Sequence, residues 1–481
     1  MRLKFVVTTK SKFENIFKHP LFYWTILGIL LRYAIGLYTS WSPDVEIWYR
    51  TGMSMLHGAG VYDFMYFAYP PVWGYILGFF VKIGGLIFDP RNFAVEVPEL
   101  YNLSTMTGMI STTITSPTFN FIFKTPLFIF DFLVGYVLYK FVYDVTNSMG
   151  QATSAFIMWF FNPLVIVVSA IHGTFDVIPT FFLLLSLLLI YKGNYFISGF
   201  MWMLGVLTKL FPIYFAPLIV GSVIGVYEYK TLLNNIKKPF KSLINFFVGA
   251  IFSIVIIYAP IILTGSIQKS GGVLSRAETG IIVGGLSPWF IRHIPKYNWI
   301  FEWAYKNSRE VIMYSMIATI MITSLIGLLS ILFAQKNLLK VILYGASATY
   351  FTIYLTSPIV NSQYLIWSLP ILILVFLLYG EYKYKHLING LTLCGIIFYL
   401  SLVGLAHLMI PFAVFTDILD VKNIIKFTEV FWFKEGAIND YLREDLMLIT
   451  GFLGVCLIVL GMILNSVSIL LFKKIIFLKR R

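Results

Sequence analysis

Charge is what this chain has least of. Asp, Glu, Lys and Arg make up 12% of its 481 residues, whereas 59% are hydrophobic and 18% aromatic, and the mean hydropathy is +0.83. A soluble domain of that composition would expose more contiguous apolar surface than water tolerates, so a string of soluble domains is excluded. Acids are scarcer than bases, 22 against 36, which leaves a net charge of +14. That surplus does not imply nucleic-acid binding. The basic residues fall in short blocks between apolar segments, the distribution that orients a protein in a bilayer. Cysteine is nearly absent: Cys394 and Cys456 both lie in apolar segments, where they read as packing residues and supply no disulfide framework. The sequence has no glycine-rich phosphate loop, no Asp-X-Asp pair and no His/Cys cluster, so neither a metal site nor a cofactor is expected.

What is abundant is long apolar sequence. A hydrocarbon core about 30 Å thick takes about 20 apolar residues per helix, and uncharged windows of that length recur from Leu21 to Phe472. The expectation is one all-α, polytopic helical membrane domain over residues 1–480. The N-terminal stretch is basic, runs into an apolar segment and has no small-residue cleavage site, so it reads as a retained signal anchor.

The basic blocks set an orientation. Residues 1–19 carry five Lys or Arg and the last nine residues carry five; 228–241 carries four, and 335–340 and 381–386 carry two each. All are expected on the cytoplasmic side, with both termini. From the C-terminus, apolar helices are expected over 446–472, 387–409, 362–380, 341–356, 311–334 and 242–264, with 265–310 and 410–445 as external loops. In the first half, six apolar segments (70–88, 121–143, 151–171, 174–191, 195–208, 210–227) must supply an odd number of crossings. Residues 70–88 are the choice for the one that does not span: they open on two prolines and contain Lys82 and Gly84-Gly85. The following stretch, 89–120, has three acids, one Arg and an Asn102-Leu-Ser104 sequon, and reads as external. The alternative is that 195–208 fails to span. The choice gives a first external loop over 39–120 with a membrane-dipping hairpin, and about 12 crossings in all.

On that orientation the polar residues gather at one face. Tyr38–Val72 holds Asp44, Glu46 and Asp63 among many aromatics, and the spacing from Ile47 to Leu56 predicts a short helix on the membrane surface. Asp44 is placed either to act as a general base or to cap the helix that begins near Val45. His172-Gly-Thr-Phe-Asp176 follows an apolar run; Gly173 predicts a tight turn, and Asp176 is expected to cap the next helix. Lys209 has no acid near it in sequence, and an ammonium at that depth calls for an anion such as phosphate, unless it snorkels to the interface. Arg50 and Arg276, with His293, are further external cations. Asn361 and Gln363 open a late helix, and Arg32, Lys124 and Asp131 lie within apolar segments facing the same polar cavity. Gly271-Gly272 and Gly284-Gly285 read as hinges.

Several pieces, in order, resemble the GT-C superfamily of integral-membrane glycosyltransferases: PDVEIWYRTGMSMLHGAGVYD, FAYPPVWGYILGFF, KTPLFIFDFLVGYVLYK, FNPLVIVVSAIHGTFDVIPT, LGVLTKLFPIYFAPLIV and NSQYLIWSLPILIL. They span residues 40–380, and the likeness is nearest to polyprenyl-phosphate mannosyltransferases. The resemblance implies a GT-C-like fold and an inverting transfer of a hexose from a polyprenyl- or dolichyl-phosphate donor to a lipid-linked or membrane-proximal glycan on the external or luminal face. Asp44 would be the base; Glu46 departs from the pattern and adds a second candidate catalytic carboxylate. Lys209, with Arg50 or Arg276, would hold the departing phosphate, while His172, Asp176, Asn361 and Gln363 would position sugar or acceptor. A flippase or transporter of a lipid-linked glycan is the alternative; it calls for inverted repeats and polar residues on both sides of the midplane.

Overall fold

The computed structural model describes residues 20–478 except positions 65, 103, 105–109, 228–236, 272–283, 294–297, 404–407, 417 and 429–437. Arg276, the basic block at 1–19, Gly272 and much of 228–241 lie outside the described residues. Nearly every described apolar segment is helical. In chain order the principal helices are α1 (Pro20–Gly36), α2 (Ser42–Leu56), α3 (Pro71–Ile87), α4 (Pro117–Thr146), α5 (Met149–Phe160), α6 (Pro163–His172), α7 (Val177–Tyr191), α8 (Tyr195–Val206), α9 (Phe211–Gly225), α10 (Lys237–Leu263), α11 (Ser308–Phe333), α12 (Leu338–Thr356), α13 (Ser362–Tyr379), α14 (Tyr382–Val403) and α15 (Ile438–Leu478).

The all-α membrane architecture holds; the count of about 12 crossings does not. Among the described residues six helices are long and apolar enough to cross a bilayer, namely α4, α10, α11, α12, α13 and, within α15, Asp445–Asn465. α5 and α6, which bend by 43° at their junction, make a seventh when the pair is taken as one broken span. The other apolar helices, α1, α3, α7, α8 and α9, have 10–17 residues. Hydropathy finds apolar segments, but it does not find where Asn162-Pro163 interrupts one. Asn162 caps α6 by accepting from the Leu164 and Val165 amides, and a proline at the second position starts a new helix rather than continuing the old one.

The 39–120 segment folds against the bundle. The helix expected from Ile47 starts earlier, at Ser42, because Pro43 sits in its first turn. Its buried stripe is Val45, Trp48, Thr51, Gly52 and Met55, which packs on α3; the apolar residues read from the sequence, Ile47, Met53 and Leu56, are only half-buried. Residues 71–87 form one helix, with Lys82, Gly84 and Gly85 inside it. Two short antiparallel strands, β1 (Ala94–Glu96) and β2 (Thr113–Thr115), pair Ala94 with Thr115 and Glu96 with Thr113. Gly284-Gly285 is no hinge. It is strand β3, paired in parallel with β4 (Ile359–Val360), and Gly285 has φ +77° with the Val360 carbonyl 2.3 Å from where a Cβ would stand. Glycine is there for close approach. Of the two cysteines, Cys394 is buried and Cys456 exposed.

Two buried cations brace α1 to α4. Arg32 donates from Nε to Asp131 Oδ2 at 2.8 Å and from Nη2 to the Phe160 carbonyl at 2.8 Å, and both side chains of the pair are fully buried. Asp131 Oδ2 also accepts from Ser169 Oγ at 2.6 Å. Lys124 donates to the carbonyls of Gly36, Thr39 and Ala170 at 2.5–2.8 Å. Neither cation lines any of the cavities described among these residues. Both satisfy backbone or carboxylate oxygens that would otherwise be bare in the bundle interior.

Candidate functional site: a polar turn between two acidic centres

The site is organised by the end of α6. Its last six residues, Val167–His172, form a π-helical turn, closed by Gly173 in the left-handed region at φ +84°. Such bulges re-aim side chains. A Cβ on Gly173 would come within 2.8 Å of the Phe123 ring and 3.0 Å of Lys124 Cε, so the turn is held against α4 and only glycine fits it. Trp48 of α2 donates from its indole to the Gly173 carbonyl at 3.2 Å. The turn therefore projects His172 on one side and Asp176 on the other.

On the first side, His172 Nε2 lies 3.0 Å from Asp44 Oδ2. The imidazole is almost fully buried and the carboxylate is 21% exposed, so the pair runs from interior to surface. Trp41 packs edge-on against the imidazole at 4.7 Å and Tyr399 lies face-on at 5.3 Å. The capping alternative for Asp44 falls away: α2 has no side-chain cap, and Asp44 sits in its first turn with its carboxylate directed to His172.

On the other side, the Asp176 carboxylate is fully buried. Oδ1 accepts from Lys209 Nζ at 2.6 Å and from the Trp367 indole at 2.8 Å; Oδ2 accepts from Thr174 Oγ1 at 2.9 Å. Asp176 precedes α7 but makes no side-chain cap bond, so the capping expectation is corrected: its oxygens are occupied by tertiary partners. Lys209 is likewise not a lone ammonium. Its partner, 33 residues away, was hidden because only the fold brings them together. The ammonium also lies 4.6, 5.2 and 5.6 Å from the ring centres of Tyr364, Trp367 and Phe175, a cation–π cage. The 16% of Lys209 that is exposed opens on a cavity of about 420 Å³, lined by Tyr69, Pro70, Lys209, Phe211, Tyr364 and Trp367 among others.

Glu46 and Arg50 belong elsewhere. Two residues apart on a helix, Asp44 and Glu46 do not share a face. Glu46 accepts from Arg50 Nε at 2.6 Å and from Ser111 Oγ at 2.7 Å, and Arg50 Nη2 donates to Thr113 Oγ1 at 3.0 Å. They line a second cavity of about 560 Å³ with Phe64, Tyr66 and Ser111. Arg50 therefore does not join Lys209 around one phosphate, and Glu46 does not join Asp44. Asn361 and Gln363 are half-buried, and Asn361 precedes the first turn of α13 without a side-chain cap bond. The Arg276 and His293 side chains lie outside the described residues. Sequence reading missed Trp367, Tyr399, Trp48 and Thr174. Tyr364 and Trp367 carried a readable signal, since three-residue spacing in a tight helical turn stacks side chains, and their rings are 4.3 Å apart.

Fold and site together define an all-α, multi-pass membrane protein with two linked acidic centres on one polar turn. Residues 64–282 match the family model of PIG-U, the GPI transamidase subunit, a segment that contains His172, Asp176 and Lys209 but not Asp44. No curated protein matches the chain. The match supports the multi-pass membrane character and overturns the expected activity. The matched family is a subunit of GPI transamidase, an enzyme complex, and neither a dolichyl-phosphate-sugar glycosyltransferase nor a flippase. The geometry gives the physical reason: Lys209, cast as the cation for a departing phosphate, already has a carboxylate at 2.6 Å.

Proposed function

We propose that this chain is a membrane subunit of a GPI-transamidase-type complex, and that it holds the glycosylphosphatidylinositol-type lipid rather than carrying out a transfer itself. The observation that carries this reading is the cavity beside Lys209. One wall is apolar and aromatic, with Tyr69, Phe211 and Ile353; the other offers the Lys209 ammonium, neutralised by the buried Asp176 behind it, and the Trp367 ring. Aromatic faces and an ammonium donor already neutralised by a carboxylate suit a polyol head group with an attached lipid. A free phosphate leaving group would need an uncompensated cation. The polar turn then faces the external or luminal side, together with 39–120. Asp44–His172 lies on the other side of the same turn as a second polar anchor.

The test is binding by the purified protein in detergent, read by photo-crosslinking with a glycosylphosphatidylinositol carrying a diazirine in its acyl chain. Labelling within the segment 64–282, competed by unlabelled glycolipid and lost in the Lys209→Met/Asp176→Asn double variant, is expected. Transfer of hexose from a polyprenyl phosphate by the chain alone, or labelling unchanged in that double variant, would overturn the proposal.

A further inference from the structure

A groove at the opposite end of α4 is not used by the site above. It lies between α4 and α7, with Tyr136 and Val137 on one wall, Leu185 and Leu188 on the other, and Lys140 and Lys192 at its mouth; its volume is about 130 Å³. Lys140 is 16 residues beyond Lys124 on the same helix, so it sits about 24 Å along the axis from the polar turn. Both lysines are about half exposed and share a single acid: Asp144 accepts from Lys140 at 2.5 Å and from Lys192 at 3.3 Å. The mouth therefore keeps a net positive charge. Tyr136 is 44% exposed beside the groove.

We infer that this groove is a binding site for an anionic glycerophospholipid, its acyl chain between Tyr136–Val137 and Leu185–Leu188 and its phosphate between Lys140 and Lys192. The groove is too small for a protein helix but takes several methylenes of one chain. Its apolar floor and cationic rim match the two halves of a phospholipid, and basic pockets between membrane helices select anionic head groups. Asp144 competes with the phosphate for the same two ammonium groups, so it sets the affinity. Snorkelling lysine stems cover the groove walls while the charges reach the interface. The site is independent of the glycolipid reading, because it lies at the other end of the bundle and shares no residue with it.

The experiment is native mass spectrometry of the full chain in detergent, titrated with phosphatidylglycerol or with phosphatidylcholine of the same acyl chains. One phosphatidylglycerol is expected to be retained at collision energies that strip phosphatidylcholine. Lys140→Gln/Lys192→Gln should lose that molecule, with an affinity drop of about tenfold or more, and Leu185→Trp should lose it by filling the groove. Asp144→Asn should raise the affinity. Inorganic phosphate at millimolar concentration should not displace the lipid; displacement would mean a phosphate site and overturn the lipid assignment. Equal retention of both lipids, or unchanged retention in the double variant, would overturn it too. Since both lysines are on the surface, the double variant should melt within a degree or two of the parent, which separates loss of binding from loss of fold.

Discussion

The Nε2 of His172 lies 3.0 Å from a carboxylate oxygen of Asp44, 128 residues earlier in the chain. The contact joins the start of α2 to the end of α6, and the His172 carbonyl accepts the Trp41 amide at 3.3 Å beside it. Among the described residues His172 Nδ1 is buried without a partner, so Asp44 supplies the ring's one side-chain hydrogen bond.

Removing that carboxylate should therefore cost more than a surface mutation. Asp44→Ala is expected to destabilise the protein by about 1–3 kcal/mol, the cost of an unsatisfied buried polar group. Asp44→Asn, which keeps an acceptor, should cost less. Detergent-phase thermal unfolding of both variants checks the order, and equal losses would remove the hydrogen bond from the account.

The Asp176–Lys209 pair should behave as a unit. Lys209→Met alone leaves a fully buried carboxylate without its counter-charge, a change typically worth about 3–5 kcal/mol. Lys209→Met with Asp176→Asn should recover a large part of that loss, because the amide oxygen can still accept from Trp367 while its NH2 donates to the Thr174 hydroxyl. A double-mutant cycle on unfolding midpoints measures the coupling; additive losses would contradict the pairing.

A pH-dependent contact ties two loops. Lys269 donates to Asp63 Oδ1 at 2.5 Å and the Gly60 amide donates to Oδ2 at 2.7 Å. These bonds, the lysine's first, hold the Asp63 carboxyl below the usual carboxylate range. The folded-state pKa is thus depressed, so the contribution is full above the unfolded value near 3.9 and disappears as pH falls through the lower folded value. The pair is exposed, so the effect should stay below about 1 kcal/mol. The difference in unfolding midpoint between the parent and Asp63→Asn should shrink on moving from pH 7 to pH 3; a constant difference would exclude this linkage.

Orientation is open to direct labelling. With Cys456, which is exposed, replaced by serine, Lys269→Cys should react with an impermeant thiol reagent in intact cells. Lys192→Cys should react only after permeabilisation. The reverse pattern would invert the proposed sidedness.

Membrane character and most helix positions were legible because apolar composition is a local property. Span length was not, because Asn162-Pro163 divides an apolar run by backbone geometry that hydropathy does not register. His172, Gly173 and Asp176 stood out through a turn glycine between two ionisable residues, and their partners did not. Lys209 read as unpaired since Asp176 lies across a helix break, and Asp44 and Glu46 read as a pair since sequence proximity conceals that residues two apart on a helix diverge. The activity inferred from resemblance rested on motifs around these residues, and motifs report a shared scaffold more directly than a shared reaction.

Lys124 joins three carbonyl oxygens, from the end of α1, the turn after it and the π-helical turn of α6, at one nitrogen. Two helix ends meeting away from water would strand those oxygens. An ammonium has three N–H bonds radiating from a single atom, so one side chain serves all three. A guanidinium spreads its donors across a plane and cannot converge on that tripod. At this position, then, geometry rather than charge selects the residue, and arginine should fail where lysine succeeds.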